Sequence, residues 1–227
     1  MSDDSLAFLD SIHIFENLAI GDRRKLASLF IAKSFNAGET IFMKGDEGHG
    51  MYLIQSGKVK ICAFDQGGNE LIFAYLNAGD LLGEIAVLDG LPRSADVVAL
   101  TQTRTLYLGR ADVLAFLKTS PQTCIEIIYD LCRRLRGANA HLEELSFLDV
   151  SGRTARNLLS LSVKDGTALY CSITQEELAG IVGASREMVN KVLNSFVDRA
   201  YVSIARKRIT ILAPAALDKI GNYDLVA

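Results

Sequence analysis

Two stretches of this 227-residue chain combine residue types at spacings that can do chemistry. The first is Gly83-Glu84-Ile85-Ala86-Val87-Leu88-Asp89-Gly90-Leu91-Pro92-Arg93-Ser94-Ala95. A buried anion needs backbone N–H donors and a cation, and a sugar hydroxyl needs an acceptor. Gly83 allows close backbone approach, and a short helix after it would aim free N–H groups at a phosphate. Arg93 can pair with that phosphate through charge-assisted hydrogen bonds, and Glu84 can accept from a 2′-hydroxyl. The same residues would also serve as a surface turn that happens to carry a carboxylate and an arginine.

The second stretch runs from Thr174 to Leu193, TQEELAGIVGASREMVNKVL. Two helices that cross closely need a small residue at the crossing, a glycine in the turn and apolar residues facing inward. Ala179, Gly183 and the set Leu178, Val182, Val189 and Val192 meet those needs. Thr174 with Glu177 three residues later forms a capping box, and Ser185 caps the second helix. Arg186, Glu187 and Lys191 then project from the N-terminal part of that helix. Arginine suits guanine O6 and N7, and glutamate accepts from cytosine N4. An ordinary helical hairpin would satisfy the same apolar pattern.

The elements that must position these residues are legible in outline. From about Phe35 to Leu108, short β-rich runs (Thr40–Lys44, Met51–Ser56, Lys58–Asp65, Glu70–Leu76, Ala95–Thr101, Thr105–Leu108) alternate with glycine turns. Strands of that length and spacing predict an antiparallel barrel or jelly roll, with Gly67-Gly68 as a hairpin turn. Two helices are expected before it, around Ser5–Phe15 and Gly21–Ile31. Ser120-Pro121 is a helix start, serine as N-cap and proline at the first helical position. Cys124, Ile128, Leu131, Leu135, Ala138, Leu142 and Leu145 follow at alternating spacings of 4 and 3. That is an a/d seam on a helix of about 25 residues, roughly 37 Å long, and its narrow stripe predicts a homodimer. A long helix lying on its own domain's core is the other reading. Phe147 to Gly152 breaks the pattern as a hinge, and an amphipathic helix over about Val150–Val163 opens the last domain. The fold class is thus α+β: an N-terminal β-roll (1–118), a dimerisation helix with hinge (119–148) and a C-terminal helix-turn-helix domain (149–227).

Composition supports a globular protein, with 49% apolar and 22% charged residues. No apolar run reaches the ~18 residues a membrane span needs, and the acidic start lacks a signal peptide, so the expected location is the cytoplasm. The net charge of −3 is unevenly spread. Residues 1–149 carry 14 Lys+Arg against 20 Asp+Glu, whereas residues 150–227 carry 10 against 7. A basic C-terminal third points to a polyanion. Four cysteines without a CxxC pair and three scattered histidines predict no metal site, no catalytic residue and no enzyme.

The run GEIAVLDGLPRSA resembles the phosphate-binding cassette of cyclic-nucleotide-binding domains, and the glycines in NAGETIF, KGDEGHGMYLIQSGKV and NAGDLLGE match the same domain. TQEELAGIVGASREMVNKVLNSF and the hinge stretch LSFLDVSGRTARNLLSL resemble the CRP/FNR regulators, so the likeness covers about residues 10–213 in the family's order. It implies an allosteric cyclic nucleotide, cAMP first, with Glu84 on the ribose and Arg93, Ser94 and the Gly83–Ile85 backbone on the cyclic phosphate. It also implies a winged helix-turn-helix and a homodimer on double-stranded DNA, with RNA polymerase as a further partner. The S-R-E at Ser185-Arg186-Glu187 matches the cAMP-receptor branch, which reads TGTGA-type inverted repeats, with Thr174 and Ser185 on phosphates.

Several positions depart from that pattern. Cyclic AMP receptors hold the adenine with two polar residues on the dimer helix, where this chain has Ala138-Asn139. Asn139 can hydrogen-bond a base and Ala138 cannot, which leaves cyclic GMP and cyclic di-GMP as alternatives, Ser94 meeting a guanine edge. Lys191 replaces an arginine and loses the planar fork. Ala205-Arg206-Lys207-Arg208 resembles the wing turn without its usual glycine, so Lys207 is expected at a DNA phosphate. No cysteine precedes Cys62, which speaks against an iron–sulfur cluster, and His49, His141 and Cys62 keep a haem- or redox-sensing variant as an alternative.

Overall fold

The computed structural model describes residues 3–12, 15, 18–68, 70–166 and 168–222. They form two compact units, Met1–Ala63 with Phe73–Arg136, and Phe64–Ile72 with Gly137–Ala227.

The first unit begins with α1 (Asp3–Asp10) and α2 (Ile20–Leu29). Strands β1 (Ile31–Phe35), β2 (Thr40–Phe42), β3 (Gly50–Ser56), β4 (Lys58–Phe64), β5 (Glu70–Asn77) and β6 (Leu81–Leu82) follow, then α3 (Glu84–Asp89), β7 (Asp96–Ala99) and β8 (Thr103–Gly109). One sheet has the order β1-β8-β3-β6 and the other β2-β7-β4-β5, as an antiparallel roll requires. The period of two decides what each face meets. On β3, Met51 and Leu53 join Leu9, Leu26 and Val113 in a core against the helices. The alternate residues Tyr52 and Ile54 pack with Val59, Leu76 and Val97 in a second core. A one-residue slip of β3 would exchange these two sets.

The expected helix over Gly21–Ile31 stops at Leu29, and Ile31 opens a strand instead. Its residues pair in register with β8, Ile31 opposite Tyr107 through Phe35 opposite Thr103. A neighbour with free N–H and C=O groups outweighs local helical pattern there. The first expected helix, Ser5–Phe15, is observed as Asp3–Asp10, and part of its span lies outside the described residues.

Helix α4 (Arg110–Thr119) leads through Ser120 into α5 (Pro121–Phe147), whose N-terminal part belongs to the first unit. Thr123 and Ile127 are buried, and Leu131 packs on the same core as Leu53. Of the expected seam, Ile128, Leu135 and Leu142 are exposed, whereas Cys124 and Leu131 are half-buried. Ile125 joins the exposed stripe in their place. The inner flank of the seam is taken because the helix also covers its own domain.

The second unit holds the rest of α5, then α6 (Val150–Ser160), β9 (Val163–Asp165), β10 (Ala168–Cys171), α7 (Gln175–Val182), α8 (Arg186–Asp198), β11 (Val202–Ala205), β12 (Arg208–Ile211) and α9 (Pro214–Gly221). Its sheet has the order β11-β12-β10-β9. Asp149 caps α6 by accepting from the Gly152 N–H at 2.7 Å. Ala155, Leu158, Leu178, Val182, Val189, Leu193 and Phe196 form the core. Buried Arg153 joins two segments, its Nε donating to the Val182 carbonyl at 2.8 Å and its Nη1 to that of Leu148 at 2.7 Å.

Candidate functional site

Gly83 sits between β6 and α3 in the left-handed region, φ 80°. A Cβ there would stand 2.3 Å from Arg93 Nη1 and push the guanidinium aside, and the backbone conformation itself demands glycine. Glu84 follows as the first residue of α3 and is 3% exposed. Its Oε1 accepts a hydrogen bond from Arg134 Nη1 at 3.1 Å. Arg134 also donates to the Leu81 carbonyl at 2.8 Å and pairs with Asp130 at 2.8 Å. Burial pushes the Glu84 carboxyl above its ordinary value, and Arg134 pulls it back. A carboxylate is costly in such a place unless a cation and donors face it.

Arg93 is 5% exposed and lies over the Phe42 ring, 4.2 Å from its centroid. Its Nη1 donates to the Gly83 carbonyl at 2.7 Å and its Nη2 to that of Gly50 at 2.6 Å. Its main chain is pinned as well, the N–H donating to the Asp46 carbonyl at 2.8 Å. The buried Nε has no partner. Burial lowers the affinity of the guanidinium for its proton, against the pull of nearby Tyr52 and Tyr107. An unsatisfied buried donor on a cation is a standing demand for an acceptor, best an anion.

The fold thus brings Gly83, Glu84 and Arg93 together. Ile85 and Ser94 are exposed beside them. Asn139 is exposed on the part of α5 that belongs to the second unit. Sequence reading missed Arg134, Asp130 and Phe42. The i, i+4 spacing of Asp130 and Arg134 hinted at one pair, but nothing local links Arg134 to Glu84, fifty residues earlier.

In the second unit the capping box is complete. Glu177 N–H donates to Thr174 Oγ1 at 3.1 Å, and the Thr174 N–H donates to Glu177 Oε2 at 2.8 Å. Gly183 turns the chain at φ 66°, and Ser185 Oγ accepts from the Met188 N–H at 3.3 Å. Arg186, Glu187 and Lys191 are exposed on α8. Ala205 pairs with Arg208, which leaves Arg206-Lys207 as a two-residue turn. Lys207 adopts φ 56°, the conformation a glycine would take more easily. A groove of about 530 Å³ gathers Thr174, Gln175, Glu176, Arg186, Arg206 and Lys207.

A β-roll with a buried arginine beside a left-handed glycine, followed in the chain by a helix-turn-helix with exposed charged side chains, defines the class of DNA-binding regulators with a ligand domain. Residues 32–120 match the family of the cyclic nucleotide-binding domain, and residues 152–220 match the Crp-like helix-turn-helix domain. The chain is 36% identical over 183 residues to the CRP-like cAMP-activated global transcriptional regulator of Mycobacterium tuberculosis, covering 78% of this chain and 82% of the relative. It is 35% identical over 208 residues to the cyclic AMP receptor protein of Thermus thermophilus, covering 92% and 96%. The solved structure of the c-di-GMP responsive global regulator CLP of Xanthomonas campestris shares the fold, with a TM-score of 0.76 at 22% identity, covering 85% of this chain and 99% of that one. The chain belongs to the CRP/FNR family and is a cyclic-nucleotide-binding transcription regulator. Among the described residues no helix is long and apolar enough to cross a membrane.

Proposed function

We propose that the chain is a homodimeric regulator that reads TGTGA-type inverted repeats and answers to cAMP. The carrying observation is the unpartnered, buried Nε of Arg93 beside the left-handed Gly83. Arg93 would give up carbonyl contacts to hold the cyclic phosphate with Ser94 and the backbone of Gly83–Ile85. Glu84 would turn from Arg134 to the ribose hydroxyl, and Asn139 would meet the base. Because Arg134 rides on α5, its release couples the pocket to the helix whose exposed Ile125, Ile128, Leu135 and Leu142 would bury against a second copy. On this reading the chain divides into a β-roll over 1–118, a dimer helix and hinge over 119–148 and a winged helix-turn-helix over 149–227.

In the DNA-binding unit, Thr174, Ser185 and Lys207 would hold phosphates while Arg186, Glu187 and Lys191 face base edges. Dimerisation would set two recognition helices about 34 Å apart, one turn of DNA. The ligand acts only by binding that arrangement better than the inactive one. The protein works in the cytoplasm, without metal or catalytic chemistry, and meets RNA polymerase at its promoters.

The names of the relatives from M. tuberculosis and T. thermophilus support cAMP. Ala138, which offers no hydrogen bond to a base, favours cyclic GMP or cyclic di-GMP as the second reading. Fluorescence anisotropy of a labelled TGTGA-N6-TCACA duplex, titrated with protein alone or with cAMP, cyclic GMP or cyclic di-GMP, tests both. Tightening of about tenfold or more with cAMP alone is expected, equivalent to ~1.4 kcal/mol of coupling. Tightening by another nucleotide names that ligand, and binding that no nucleotide alters overturns the switch.

A further inference from the structure

The groove between the start of α7 and the β11–β12 turn contains three cations, Arg186, Arg206 and Lys207, and one carboxylate, Glu176. Glu176 Oε2 lies 3.5 Å from Arg186 Nη1, with the two side chains 73% and 62% exposed. The carboxylate is not required as a cap, because Thr174 and Glu177 already close the N-terminus of α7 between themselves. Its charge is modestly favoured there by the helix dipole.

We propose that Glu176 is an affinity-limiting residue, the partner that Arg186 must leave to reach a base. The inference rests on the base-reading role of Arg186 proposed above. A pair that supported Arg186 in its DNA-bound position would be short, bidentate and shielded. This one is a single long contact in solvent, which holds the guanidinium in the free protein and breaks cheaply. When DNA enters the groove, Arg186 leaves for guanine O6 and N7, and Glu176 remains facing phosphates with its charge no longer paired. Both changes subtract from affinity. They act most on a target site, where Arg186 exchanges its partner for a base, and less on unrelated DNA, where a phosphate is the only alternative.

The test is anisotropy with the full-length protein and cAMP, on the TGTGA-N6-TCACA duplex and on a scrambled duplex of equal composition. Glu176→Gln is expected to bind the target duplex about fivefold more tightly than wild type, the span of an exposed ion pair, and to gain less on the scrambled duplex. In an Arg186→Gln background the same substitution should gain clearly less than it does with Arg186 present, because only the repulsion of phosphates is then left to relieve. Weaker or unchanged target binding by Glu176→Gln overturns the proposal, and weaker binding would make the carboxylate a support of Arg186. A full gain that persists without Arg186 also overturns it, assigning the effect to repulsion of phosphates alone. Thermal unfolding of each variant keeps a folding defect from being read as a binding effect. Absence of preference for TGTGA over the scrambled duplex in the wild type defeats the half-site reading. The Arg186-dependence of the gain on the scrambled duplex still decides this one.

Discussion

Glu84 accepts a hydrogen bond from Arg134 at 3.1 Å, joining the start of α3 to the middle of α5. The carboxylate is almost fully buried, and Arg134 is the largest influence opposing the desolvation of its charge. Arg134→Met removes that influence and is expected to destabilise the protein by about 3 kcal/mol at neutral pH, as breaking buried pairs does. The sign of the pH dependence follows from the raised carboxyl. Ionised Glu84 costs stability above its folded-state pKa, and protonation on acidification relieves the cost. The Met variant raises that pKa further, so its deficit relative to wild type shrinks as pH falls. Urea unfolding at neutral and mildly acidic pH measures it, and a deficit that does not narrow contradicts the assignment.

Gly83→Ala strains a backbone at positive φ and displaces the Arg93 guanidinium. A loss of about 1–3 kcal/mol in stability is expected from the backbone alone. Arg93→Ala should fold and yet lose cyclic-nucleotide binding by at least about 100-fold, two charge-assisted hydrogen bonds being worth about 3 kcal/mol or more. Calorimetric titration with cAMP would decide it, and retained affinity removes Arg93 from the ligand site.

Leu135 is 61% exposed in the middle of the apolar stripe of α5. Leu135→Asp puts a charge into the proposed dimer seam and is expected to yield monomers in sedimentation velocity, with helical content unchanged. A variant that stays dimeric would move the interface elsewhere.

Lys207 holds a left-handed conformation at the tip of the β11–β12 turn. Lys207→Gly relieves about 1 kcal/mol of backbone strain and should raise Tm. If the lysine meets a phosphate, the same change weakens binding to all DNA sequences and lowers the salt slope by about 1. Stabilisation with an unchanged slope would leave Lys207 a surface residue.

Much of this was legible from short-range pattern. The capping box at Thr174 and Glu177 lies within one helical turn, Gly183 marks a turn by residue type alone, and Gly83 marks a point of close backbone approach. The Gly83–Ala95 run held both charges of the proposed ligand site, Glu84 and Arg93, in order. The β1 strand was not legible, because Ile31–Phe35 becomes extended only by pairing with β8, at Tyr107 to Thr103, far along the chain. Nor was the choice of Ile125 over Leu131 on the free face of α5, since both fit a heptad and only the core beneath the helix selects between them.

The sequence by itself determined the two constellations, their order and the helix between them, because caps, turns and periodicity act over a few residues. The tertiary structure decided which partners the charges take. Arg93 faces the Gly50 and Gly83 carbonyls, Arg134 faces Glu84, and Glu176 faces Arg186. Those choices depend on which groups the folded chain brings within hydrogen-bond reach and on how far it shields them from water, and neither is a property of local sequence.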